Sequence, residues 1–248
     1  MIKTTVINIA CLLCFYSVLS AQTHKVLIET NMGNITVELY DETPEHAKNF
    51  MYLVNSAHFD GTLFYRVINN FVLQGGSSES RNAPKGKHIG YGVSTRNINS
   101  EFNSKYFHKR GALCAPRQPD DVNLFKKSDV SQFYLVCGRV YTKDELDILE
   151  NNHNKPIEIE LKKKYYLPRK KELSELKSKD PNAFNSLLRE IKSKIEVEYN
   201  SSYLKKFTAE QREVYTTVGG VPALDGEYTI FGEVVDGMSV VDKISQLK

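Results

Sequence analysis

Residues 63 to 76, LFYRVINNFVLQGG, carry one arginine inside an otherwise apolar, strand-like run. Strand alternation sends Leu63, Tyr65 and Val67 to one face and Phe64 to the other, with Val72 and Leu73 continuing the apolar run. Arg66 must therefore reach solvent or line a cleft, because an unpaired buried guanidinium is costly. Its chemistry is that of a fixed fork of N–H donors with a permanent charge, suited to gripping a carbonyl. Covalent chemistry has no comparable signature. Ser, His and Asp residues occur without a recognisable nucleophile motif. The six histidines, and the two cysteines beyond residue 21, form no cluster with metal-ligand spacing.

The elements that would hold Arg66 follow from periodicity. Residues 25 to 31 and 34 to 40 alternate as two strands around the tight turn NMGN, a hairpin. Thr43 and Pro44 then open a helix, with Ala47, Phe50, Met51 and Val54 at helical spacing as far as about Ser56. The run around Arg66 reads as strand, and a Gly- and Ser-rich stretch to about residue 98 reads as loop. Strand patterns return in GALCAP and SQFYLVCG, separated by the polar RQPDDVNLFKKSDV.

The composition changes after residue 138. Residues 139 to 217 are rich in Lys, Glu, Leu and Tyr, with helix starts at Thr142 with Glu145, Asp180 with Pro181, and Thr208 with Gln211. Phe184, Leu187, Leu188, Ile191 and Ile195 form one apolar stripe that needs a packing partner. After TTVGGVPALDG the chain returns to a strand, EYTIFGEVV, and closes on a short helix in MSVVDKISQ. The expected organisation is a β-rich domain formed by residues 22–138 and 218–248, interrupted by a charged helical insertion at 139–217.

Residues 1–21 combine one lysine, an apolar segment and small residues, the pattern of a secretory signal peptide. Localisation is then exported, periplasmic or secreted; an uncleaved anchor is the alternative. Cys11 and Cys14 leave with that segment. Cys114 and Cys137 read as buried thiols, with a disulfide as the alternative that an oxidising compartment permits. A net charge of +3 over 248 residues, with no basic run interleaved with aromatics, gives no reason to expect a nucleic-acid partner.

Taken together, FYRVINNFVLQGG, INSEFNSKYFHKRGALCAPR, SQFYLV and LDGEYTIFGEV, in that order, resemble the cyclophilin family of peptidyl-prolyl cis-trans isomerases. The resemblance covers residues 24 to 138 and 216 to 248. It implies a mainly β fold, a closed eight-stranded antiparallel barrel capped by two helices, with a groove on the outer face. It implies catalysis of rotation about X-Pro bonds with no cofactor and no metal. Proline-containing segments of unfolded or exported proteins would be the partners, and the protein a monomer without stable membrane insertion.

By the same resemblance Arg66 donates to the substrate carbonyl, Phe71 walls the proline pocket and Gln74 fixes the substrate backbone. Gln132 is a groove glutamine, Tyr134 stands where the family has a pocket-floor phenylalanine, and Leu224 is a pocket leucine. Val72 replaces a common methionine. Pro116 replaces a common alanine, followed by Arg117 where a residue's main chain often binds substrate. Ala223 stands in place of a tryptophan and Tyr228 in place of a histidine. These departures keep a second reading open: a proline-segment binding module or chaperone without turnover, using the groove and the helical insertion.

Overall fold

The structure, a computed structural model, describes residues 24–90 and 97–247. The expected signal peptide, with Cys11 and Cys14, lies outside the described residues. Strands β1 (His24–Thr30) and β2 (Gly33–Leu39) form the expected hairpin, with Thr30 opposite Gly33. They are followed by helix α1 (Pro44–Asn55), then β3 (Phe64–Val67), β4 (Val72–Gly75), β5 (Asn97–Ile98), β6 (Ala112–Cys114), β7 (Ser128–Asp129) and β8 (Phe133–Val136). Strand β9 (Ile230–Asp236) and helix α6 (Met238–Ser245) close the chain.

Seven strands make one antiparallel sheet in the order β1-β2-β9-β6-β8-β4-β3, and β5 pairs with β7 separately. The expected closed, eight-stranded barrel is thus not found among the described residues. The sheet is a half-barrel whose edges are β1 and β3. Pro116, which has no backbone N–H, stops β6 two residues beyond Cys114, and the next strand-forming segment, β7, pairs with β5 instead. The final strand also begins later than its sequence pattern, at Ile230. Glu227 and Tyr228 form a loop after Gly226, with the Glu227 carbonyl gripped by Arg117 Nε at 2.6 Å.

Alternation sorts the strand residues onto two faces. Leu73, Leu113, Leu135 and Phe231 point inward, where Ala47 and Phe50 of α1 and Val240, Val241 and Ile244 of α6 cover them. Val72, Ala112, Cys114, Tyr134, Val136 and Ile230 point outward into a second apolar cluster. Cys114 and Cys137 are free, buried thiols in different clusters, one on each face.

The helix starts expected between β8 and β9 are all present: α2 (Lys143–Tyr165), α3 (Lys170–Lys179), α4 (Pro181–Ser201) and α5 (Ala209–Thr217). Thr142 and Thr208 form reciprocal capping boxes with Glu145 and Gln211, and Asp180 caps α4. The apolar stripe of α4 packs against Leu173 and Leu176 of α3 and Tyr165 of α2. The segment leaves the sheet through Gly138 and returns through Gly220. Arg139 and Gly220 exchange backbone hydrogen bonds at 3.2 and 3.0 Å, which brings the two ends together. Gly138 sits at φ +57, and a Cβ there would lie 2.4 Å from the Gly220 Cα.

Candidate functional site

One cross-strand row carries three of the nine candidate residues, Arg66, Gln74 and Tyr134. Arg66 of β3 lies opposite Gln74 of β4, Gln74 opposite Tyr134 of β8, Tyr134 opposite Cys114 of β6, and Cys114 opposite Ile230 of β9. Residues in such a row share a face and touch their neighbours. Five strands thereby align a charged end and an apolar end across the outside of the sheet.

The register shifts between Phe64 and Arg66, so Tyr65 is the extra residue of a β-bulge. Phe64 and Val67 both pack inward, whereas simple alternation would put them on opposite faces. The Tyr65 side chain, expected on the face away from Arg66, is instead re-aimed to Arg66's side. Its hydroxyl accepts from Gln74 Nε2 at 2.6 Å and donates to Gln132 Oε1. Gly90, at φ +85, leaves room for it: a Cβ there would be 2.6 Å from the phenol oxygen. Burial pushes the Tyr65 phenol well above its ordinary range, so it stays protonated and able to donate.

A directional line of hydrogen bonds results. Arg66 Nη1 donates to Gln74 Oε1 at 3.3 Å, Gln74 Nε2 to the Tyr65 hydroxyl, Tyr65 to Gln132 Oε1, and Gln132 Nε2 to Asp129 Oδ2 at 2.9 Å. Donor capacity begins at the guanidinium and ends at a buried carboxylate, whose other oxygen accepts from Ser131 N and Oγ at 2.8 and 2.7 Å. The direction fixes both glutamine amides. The Arg66 side chain is exposed, and its guanidinium lies 5.7 Å from the Phe71 ring centroid, within cation–π range.

Beside this line, Phe71, Leu224 and Tyr228 pack on Val72 and Tyr134. The Tyr228 ring meets the Tyr134 ring edge-to-face at 5.9 Å, and Arg117 stacks on Tyr228 at 4.9 Å. The Arg117 side chain is only 6% exposed and is held by Glu227, Asp120 and the Gln118 carbonyl. Of the sequence-derived candidates, Arg66, Phe71, Val72, Gln74, Gln132, Tyr134, Leu224 and Tyr228 are brought together. Pro116 stands apart from the apolar cluster. Its carbonyl accepts the Asp129 N–H at 2.8 Å, which supports the end of the polar line.

Tyr65, Asp129, His108 and Asp225 also join these hydrogen-bond lines, and none stands out in the sequence. Tyr65 was hidden by the bulge. Asp129 and Asp225 sit in polar loop sequence whose contacts are long-range. The Tyr134 hydroxyl finds its partner in His108, at 3.0 Å from Nε2. Away from all nine candidates, a cavity of about 420 Å³ lies between the sheet and α5, lined by Tyr40, Tyr106 and several charged groups. Its lysines are paired, Lys105 with Glu42 and Lys109 with Glu233, each at 2.6 Å.

An exposed guanidinium beside an apolar cluster, with an oriented glutamine amide next to it, can meet a peptide backbone with hydrogen bonds and an apolar side chain with contact. The profile of the cyclophilin type peptidyl-prolyl cis-trans isomerase/CLD family matches residues 25–162 and 201–248, and the chain belongs to that family. The chain is 31% identical over 141 residues to the peptidyl-prolyl cis-trans isomerase CYP18-1 of Arabidopsis thaliana, covering 53% of this chain and 85% of the plant protein. It is 33% identical over 132 residues to the spliceosome-associated protein CWC27 homolog of Danio rerio, covering 52% of this chain but only 24% of that longer protein. The crystal structure of a Cryptosporidium parvum cyclophilin type peptidyl-prolyl cis-trans isomerase aligns at 20% identity and a TM-score of 0.47, covering 91% of this chain and 86% of that one.

Proposed function

We propose that this chain accelerates cis-trans rotation about X-Pro bonds in segments of unfolded, exported proteins, and that it works as a monomer after removal of residues 1–21. The single observation that carries the reading is the placement of Arg66 at the exposed end of the row, beside Phe71 and next to the apolar cluster that holds Tyr134.

The amide resists rotation by about 18–20 kcal/mol because its nitrogen lone pair is delocalised into the carbonyl. Left alone, an X-Pro bond isomerises over roughly tens to hundreds of seconds. No bond breaks, so the task is to stabilise a twisted amide whose nitrogen has recovered its lone pair. Phe71, Val72, Tyr134, Leu224 and Tyr228 hold the proline ring. Gln74 and Gln132, oriented by Tyr65 and Asp129, anchor the substrate backbone. Arg66 donates to the carbonyl after the proline and favours the pyramidal nitrogen during the turn. The helical segment between Gly138 and Gly220 serves as an arm beside this site.

The test is the cis-to-trans rate of a short X-Pro peptide with the chain lacking residues 1–21 and with its Arg66→Ala variant. The parent should accelerate rotation, and Arg66→Ala should lose about 10²–10³-fold in kcat, the usual effect of removing a donor aimed at transition-state charge. A folded variant as fast as the parent would refute the assignment of Arg66. Export is tested by locating the full-length chain after cell fractionation and sequencing its N-terminus.

A further inference from the structure

The Tyr134 phenol is buried with its ring, and a buried phenol needs a hydrogen-bond partner. His108 is fully buried and uses both ring nitrogens. Nε2 is 3.0 Å from the Tyr134 oxygen, and Nδ1 is 3.0 Å from Asp225 Oδ1, which also accepts the His108 backbone N–H at 2.7 Å. A carboxylate only accepts, so Nδ1 carries the proton toward Asp225. Nε2 is left to pair with the Tyr134 hydroxyl. The second carboxylate oxygen accepts from the Tyr215 hydroxyl at 2.7 Å.

Tyr215 belongs to α5, not to the sheet. It is fully buried among Phe107, Phe207 and Leu146, the last from α2. One continuous line of hydrogen bonds therefore runs from the helical segment to the floor of the pocket: Tyr215, Asp225, His108, Tyr134. Were it to loosen, the Tyr134 hydroxyl would lose the partner that fixes its ring, and the apolar surface the ring offers would shift. We propose that Tyr215, Asp225 and His108 are positioning residues through which the helical segment sets the pocket floor and hence the affinity for proline. The inference rests on reading the groove as the proline site.

The test is a double-mutant cycle. Tyr215→Phe and Tyr134→Phe are made singly and together, and each protein's Kd for an X-Pro peptide is measured by NMR titration, with turnover followed on the same samples. Tyr215→Phe should raise Kd about three- to tenfold, the range of one hydrogen bond, with kcat within about twofold of the parent. With phenylalanine already at position 134 there is no hydroxyl to hold, so Tyr215→Phe should leave Kd unchanged. Equal factors in the two backgrounds, or no effect in the parent, would overturn the coupling. Should Tyr215→Phe unfold the chain, Asp225→Asn taken through the same cycle decides the matter. A peptide that binds the parent without being turned over removes the isomerase reading and leaves the cycle readable; a peptide that does not bind the parent overturns both.

Discussion

Arg66 and Gln74 announce themselves in the sequence, whereas the residue that orients Gln74 does not. Tyr65 reads as an inward strand residue by alternation, and a bulge turns it outward to bridge Gln74 and Gln132. Bulges are set by pairing with a partner strand, which a single run of residues does not specify. Tyr65→Phe keeps the ring and deletes the bridge. It should lower kcat/KM by about three- to tenfold, one hydrogen bond's worth, without changing thermal stability enough to unfold the chain at assay temperature. Steady-state kinetics with one peptide checks this, and unaltered kcat/KM would show that the glutamines need no such brace.

At the scale of elements, Thr43 and Pro44 mark the start of α1 correctly, but Thr43 does not cap it. Its hydroxyl faces the Tyr40 carbonyl at 3.3 Å. Glu101, distant in sequence, accepts the backbone N–H groups of Glu45 and His46 at 3.2 and 3.0 Å, and its Oε2 lies 2.6 Å from His46 Nδ1. A cap supplied by another segment leaves no local signature. Glu101→Ala should cost about 1–2 kcal/mol, as for loss of an N-cap, measured by denaturant unfolding; a loss within error would show that water replaces it. Burial holds the His46 ring below its ordinary pKa of 6.5, against the opposing pull of Glu101. The unfolded chain therefore binds a proton that the folded chain refuses, so this contribution is full above pH 6.5 and is lost as pH falls below it. Thermal midpoints should decline between about pH 7 and pH 5.5, and His46→Gln should flatten that slope; an equal slope in the variant would exclude His46 as its source.

For the whole molecule, the strand patterns of β4, β6 and β8, the helices α1 and α6 and the helix starts between β8 and β9 were legible, because each is written in local periodicity; that α1 and α6 cover the sheet came from the resemblance. Openness of the sheet was not, since it depends on where the short β3 and β7 find partners. Nor was the link from α5 to the pocket, which joins residues far apart in sequence through side chains ordinary in themselves. The helical segment has two apolar clusters. Phe107, Leu146, Phe207 and Tyr215 join it to the sheet domain, while Leu173, Leu187 and Ile191 knit α3 and α4 to the end of α2. Replacing residues 167–200 by a short Gly-Ser linker removes only the second cluster. Peptide isomerisation should then stay within about twofold of the parent, as expected of contacts that do not touch the site; a larger loss in folded protein would place part of the site on α3 or α4.

In the proposed mechanism the Arg66 guanidinium acts on the rotating amide and not on peptide capture. Arg66→Lys tests it most directly, because the charge is kept and the planar fork is lost. With kcat from NMR exchange and Kd from titration of the same X-Pro peptide, kcat should fall by about tenfold or more while Kd stays within about twofold, the signature of an interaction made only in the transition state. A lysine variant with parental kcat, or one in which Kd rises as far as kcat falls, would contradict it.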